Sequence, residues 1–280
     1  MKVDFMIIGA QKCGTSTLFS ILNTHPSLVG CSTKEPDYFS KVVNWKTHLS
    51  QYENLFEPRD NVMYFEGSTT YTCYPSFKLN IWDDLFEYNP ELKFIYIVRN
   101  PVDRIISSYM HVYERGFTDL SLANAICQDA FQIATTRYYV QILPFIERFG
   151  RDRVLILEFD DLTRDTSELV RRTAEFLGVD SSQFGQYDSI HANASLTQKR
   201  KHHKYTNPPW YLKVVKRVAP PLWDKLTDNS DRTFDEKPVL EAEYREVIVR
   251  LLKPDIDALE ELIGKDLSPW YQGITTASNV

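Results

Sequence analysis

Lys12-Cys13-Gly14-Thr15-Ser16-Thr17 gathers one cation, one glycine and three hydroxyl side chains, a set suited to an anion and to phosphate above all. Gly14 lets the backbone approach closely, Lys12 brings a mobile positive charge, and Thr15, Ser16 and Thr17 offer donors. A second set stands at Arg99 and Ser107, which can jointly hold another phosphate; the plainer reading is a structural ion-pair arginine and a polar helix face. Glu35, within Lys34-Glu35-Pro36-Asp37-Tyr38-Phe39, is either a general base at a sheet edge or a solvated acid paired with Lys34.

The elements that must position these groups are legible around them. An apolar run, Val3 and Phe5 to Ile8, stops at Gly9, and a helix-period pattern resumes at Thr17, Leu18, Ile21 and Leu22. Strand, loop and helix follow in that order, so the loop presents amides and a helix N-terminus to a ligand. The spacing nearly fits the nucleotide loop GxxxxGK[ST], but Thr15 takes the lysine's place and the nearest lysine is Lys12. Leu92 to Val98 reads as a central parallel strand that delivers Arg99-Asn100-Pro101-Val102-Asp103-Arg104 at its C-terminal end. Asn100 suits an N-cap, Pro101 the first helical position and Asp103 a capping box. On that helix Arg104, Ser107, Ser108, His111 and Arg115 share one polar face.

Ser27 to Cys31, Val62 to Glu66 and Arg153 to Phe159 are further strands, and helices are expected over 45–56, from Pro75 to about Tyr88, over 121–129, 131–149 and 160–178. This alternation implies an α/β fold, a P-loop-like parallel sheet with helices on both faces. A helical C-terminal part, 208–280, contains a periodic stretch from Pro238 to Ile263 that Pro254 interrupts. The whole is read as one domain: a core over 1–178, a basic segment over 179–207 and the C-terminal part. The basic segment holds Gln198-Lys199-Arg200-Lys201-His202-His203-Lys204, either a solvated run or a lid that orders on anions.

The net charge of −6 excludes a broad nucleic-acid surface, so any basic site is local. With 43% hydrophobic residues in 280, the chain buries a full core. Four scattered cysteines, no metal-ligand spacing and no basic leader point to a soluble cytoplasmic protein with free thiols. Pro208 to Trp223 mixes aromatic and basic residues; packing as a surface helix is favoured over a membrane contact.

Taken in order, these motifs resemble the sulfotransferases that use 3′-phosphoadenosine 5′-phosphosulfate (PAPS), especially the heparan-sulfate-type and bacterial carbohydrate branch. The resemblance rests on Gly9 to Leu18, His25-Pro26, Lys34 to Phe39 and Arg99 to Tyr109, with weaker echoes to Trp270. It implies that Lys12, Gly14, Thr15, Ser16 and Thr17 bind the 5′-phosphosulfate, and that Arg99 and Ser107 bind the 3′-phosphate. By the same resemblance Lys199 and Arg200 lie over the nucleotide, Glu35 acts as base, and His111 stands near the reaction centre. The implied reaction moves a sulfuryl group to a hydroxyl, less favourably an amine, of a saccharide or small-molecule alcohol, with PAP as product and no required metal. Heparan-sulfate-type members tend to carry a lysine where this chain has Gly67, which takes a charge from the substrate side. Two other classes stay open: a P-loop kinase or NTPase using Glu158 or Asp160-Asp161 for a metal, and a nucleotide-regulated membrane module using Trp210 to Trp223.

Overall fold

The first apolar run forms β1, Phe5–Gly9, every residue of it buried. Burial on both faces is what a central parallel strand requires, and β1 sits in the middle of a five-stranded sheet ordered β2-β3-β1-β4-β5. The other strands are β2 (Leu28–Gly30), β3 (Met63–Gly67), β4 (Lys93–Val98) and β5 (Val154–Glu158), and all neighbouring pairs are parallel. Phe5 faces Phe65 across the β1–β3 register, and their rings stack at 4.8 Å. The computed structural model describes residues 1–187, 190, 217–219 and 233–271. Lys199, Arg200 and nearly all of the aromatic–basic stretch 208–223 lie outside the described residues.

Helices flank the sheet: α1 (Thr15–Leu22), α2 (Tyr38–Lys41), α3 (Leu49–Glu53), α4 (Ile81–Tyr88), α5 (Pro101–Glu114), α6 (Leu122–Gln128), α7 (Ala130–Ala134), α8 (Tyr138–Phe149), α9 (Phe159–Arg164) and α10 (Thr166–Leu177). The α/β expectation therefore holds, with local differences. Pro75 does not open a helix; α4 starts at Ile81, after Asn80 adopts a left-handed conformation at φ 61°. The stretch expected to be helical over 160–178 is two helices, divided at Asp165, whose side chain accepts from the Glu168 amide and caps α10. The α10 helix stops at Gly178, φ 82°, as a glycine C-cap should.

Pro254 does not interrupt the C-terminal helix, which runs unbroken from Ala242 to Ile263. The next residue ties that helix to the core. Asp255 is buried, and its carboxylate accepts from the amides of Tyr139 at 3.1 Å and Val140 at 3.0 Å. Arg137, at the start of α8, supplies no cap of its own, so an acid from a remote helix satisfies the first amides of α8. All four cysteines are free and three are buried. Among the described residues no helix is long and apolar enough to cross a membrane.

Candidate active site

In a parallel sheet all strands present their carboxyl ends to one edge, where ligands bind. Lys12 follows β1, Glu35 follows β2, Thr69 follows β3 and Arg99 follows β4, so four separated segments meet at that edge. The loop after β1 is tightly determined. Gly9 packs where a β-carbon would stand 2.2 Å from Thr72 Oγ1 and 2.7 Å from Tyr96 Cε2. Gly14, at φ 85°, leaves a place that a β-carbon would bring to 2.6 Å from Leu162 Cδ2 and 3.0 Å from Phe159 Cδ2. Only glycine fits there. As the N-cap of α1, Gly14 has no side chain with which to cap it, which leaves the first amides of α1 available to an anion.

Lys12 stands in this loop at φ 68°, a left-handed conformation uncommon for lysine. Burial pushes its ammonium from 10.5 down to about 8; Arg115, Arg104 and Arg99 add to the fall and Glu114 opposes it. A partly desolvated cation crowded by three others is poised for an anion, whose arrival relieves both penalties. Arg99 donates from Nη1 to the Lys12 carbonyl at 3.3 Å, and its guanidinium lies 4.3 Å from the centre of the Phe159 ring. Phe159 thus supports Gly14 and Arg99 together, a role that nothing in its sequence surroundings announces.

Glu35 is half-buried at φ 58°, paired with Lys34 Nζ at 3.0 Å and accepting from Thr69 Oγ1 at 3.1 Å. Its own amide donates to the Gly67 carbonyl at 3.2 Å. Glu35 pairs with Lys34, as the plainer reading has it, and it lies after β2 at the carboxyl edge of the sheet. A β-carbon on Gly67 would stand 3.3 Å from Phe19 Cδ2 and 3.7 Å from both Ile7 Cβ and Lys34 Cε, so the Lys34 side chain only borders the place that Gly67 leaves open.

Beneath Glu35 lies a carboxyl that the sequence reading did not single out. Glu66 is fully buried and accepts from Tyr52 at 2.8 Å, Tyr71 at 2.7 Å and Ser68 Oγ at 2.6 Å. Burial raises its carboxyl from 4.5 to about 7, with the three hydroxyl groups opposing. Ser68 Oγ in turn accepts from the Asp37 amide at 3.0 Å, and Thr70 donates to the Asp37 carboxylate at 2.6 Å. The turn carrying Glu35 is therefore pinned by Gly67 to Thr70. An acid ending an apolar strand was the available signal, since such a charge is buried only when partners surround it.

On α5 the expected N-cap is present: Asn100 Oδ1 accepts from the amides of Val102 at 3.1 Å and Asp103 at 3.3 Å. Asp103 completes no capping box and pairs instead with Lys237. Of the polar face that the spacing predicts, Arg104, Ser107 and Ser108 are all buried. The reason is that α5 is covered on more than one side, by α6, α7 and the C-terminal helix. His111, half-buried, lies one turn before Glu114 and Arg115, whose charges act on Lys12.

The chain spans about half the length of the curated relatives it matches. Carbohydrate sulfotransferase 15 of Mus musculus is 19% identical over 81% of this chain and 53% of its own. Heparan sulfate glucosamine 3-O-sulfotransferase 3A1 of Mus musculus is 27% identical over 62% of this chain and 45% of its own. A crystal structure of a sulfotransferase from Alicyclobacillus acidocaldarius shares the fold at a TM-score of 0.71, with 23% identity, covering 97% of this chain and 100% of that one. The sulfotransferase domain family model matches residues 2–214, taking in the loop after β1, the Glu35 turn and the start of α5 in a single span, and the chain belongs to that family.

Proposed function

We propose that this protein transfers a sulfuryl group from PAPS to a hydroxyl, ahead of an amine, of a saccharide or small-molecule alcohol. The observation that carries the reading is Lys12: a partly desolvated cation at the open N-terminus of α1, on the same sheet edge as the carboxylate of Glu35. PAPS fits what these residues offer, with the loop amides, Lys12 and Thr15 to Thr17 for its 5′ end and Arg99 with Ser107 for its 3′-phosphate. When bound, the donor supplies an activated sulfur joined to a phosphate leaving group.

Glu35 takes the acceptor proton as the acceptor oxygen bonds to sulfur. Lys12 and the amides of the loop neutralise the charge that builds on the phosphate oxygen as its bond to sulfur breaks. In this reading His111, one turn before Glu114 and Arg115 on α5, orients the transferring group. Lys34 pairs with Glu35 at 3.0 Å and so holds the base in place, while Gly67 leaves the acceptor side without the lysine of the heparan-sulfate-type members.

Calorimetric titration with PAP, against ADP and ATP with and without magnesium, tests the donor. Tight magnesium-independent binding that requires the 3′-phosphate is expected. Magnesium-dependent ATP binding indifferent to the 3′-phosphate refutes it.

A further inference from the structure

Arg104 is the bulkiest of the fully buried side chains among the described residues, with 0% of its surface exposed. Removing a guanidinium from water is costly unless its donors are taken and its charge is used or balanced. Each of its three nitrogens has an acceptor. Nε donates to the Gln11 carbonyl at 3.1 Å and Nη2 to Gln11 Oε1 at 3.2 Å. Nη1 reaches the Gln132 carbonyl at 3.1 Å, Gln132 Oε1 at 3.3 Å and Thr136 Oγ1 at 3.1 Å. Every one of these acceptors is an uncharged oxygen, and no carboxylate among the described residues forms an ion pair with it.

The arginine therefore bridges α7 and Thr136, two residues beyond it, to the loop after β1, and it grips that loop at one residue by backbone and side chain together. In a trans peptide the N–H points opposite to the C=O, so fixing the Gln11 carbonyl on Arg104 turns the Lys12 amide to the other side. Arg99 holds the next carbonyl, that of Lys12. Two guanidinium groups thus take consecutive carbonyls of the loop, which sets the orientation of its peptide planes. The field of Arg104 also reaches the loop side chains: it adds to the fall of Lys12 and opposes the rise that burial gives the Cys13 thiol.

We propose that Arg104 is a positioning residue for the anion-binding loop, fixing Gln11 and the Lys12 amide while lending the bound 5′ anion a buried positive charge that no carboxylate among the described residues pairs with. The proposal rests on the reading of this loop as the 5′-phosphosulfate site. It sets Arg104 apart from Arg99 and Ser107, which serve the 3′ end in that reading.

The test compares PAP with adenosine 3′-monophosphate, which lacks the 5′-phosphate, by calorimetry on the full chain. The wild type prefers PAP, and a wild type without that preference removes the loop reading and this proposal with it. In Arg104→Lys, which keeps a charge but loses the fork, the preference shrinks about tenfold while the affinity for adenosine 3′-monophosphate holds. A folded Arg104→Lys that keeps the wild-type preference overturns the proposal even though the loop reading stands. Should Arg104→Lys fail to fold, Gln11→Leu decides, since it removes only the Oε1 contact of a half-buried side chain. A fall in the preference of about threefold supports the proposal, and a preference equal to the wild type's overturns it.

Discussion

Raising the pH above about 8 strips the proton from Lys12 in the unliganded protein, and the affinity of the loop for its anion should follow that proton. The ammonium falls from 10.5 to about 8 chiefly because it is buried. At about 1.4 kcal/mol per unit, the folded protein disfavours the charged form by about 3 kcal/mol. An anion beside Nζ reverses that penalty, so binding of PAP takes up a proton wherever the free lysine is neutral. At pH 8.5 about three-quarters of a proton should be taken up per site, and affinity should weaken about thirtyfold between pH 7 and pH 9.5. Calorimetry in two buffers of different ionisation enthalpy reads the uptake directly. Lys12→Arg, charged throughout, should show neither effect. Affinity that stays level to pH 9.5, with no proton uptake at pH 8.5, refutes the account of Lys12 as a desolvated cation at the anion site. Stability gives an independent sign. A lysine depressed on folding binds more protons unfolded, so its penalty is full below about pH 8 and disappears as pH rises towards 10.5. Lys12→Met should then raise the stability of the unliganded protein at pH 7, by up to about 3 kcal/mol, while abolishing affinity for PAP.

Three further outcomes follow from the same geometry. Glu35→Gln should lower kcat by about 100-fold to 10,000-fold with the affinity for PAP unchanged, and a near-normal turnover number removes Glu35 as base. Glu66, raised on folding from 4.5 to about 7, contributes stability that is full below pH 4.5 and lost as pH rises to 7. In urea titrations Glu66→Gln, which can keep both tyrosine hydrogen bonds, should therefore lack a decline of about 3 kcal/mol that the wild type shows over that window; parallel curves for the two proteins contradict it. Asp255→Ala should cost about 1–3 kcal/mol by uncapping α8 from a distance, and an unchanged urea midpoint would show that the Tyr139 and Val140 amides do not need it.

What a sequence encodes within a few consecutive residues was open to reading. The run into Gly9, the small residues to Ser16 and the helical period after them specify strand, loop and helix because each signal acts on its own neighbours. Arg99-Asn100-Pro101 likewise carries a strand tip, a cap and a helix start in three positions, and the Asn100 cap formed as expected. Asp103 shows the limit, since whether a first-turn acid reaches back to its own cap or out to Lys237 depends on what the fold brings beside it.

The order of the strands and the surroundings of the charges were decided only by packing. Sequence order gave no means of knowing that β3 would enter between β2 and β1, yet that insertion puts Thr69 against Glu35. The polar pattern of α5 left its surroundings open, because a helical period shows which residues share a face, never how many faces the fold covers. Arg104 therefore proved buried, bonded to Gln11 across 93 positions of sequence, and Asp255 capped a helix 116 positions away. The sequence by itself determined the strand, loop and helix that carry Lys12 and Gly14. Tertiary structure decided which cations stand beside that loop, because desolvation and long-range hydrogen bonds exist only once distant segments are packed together.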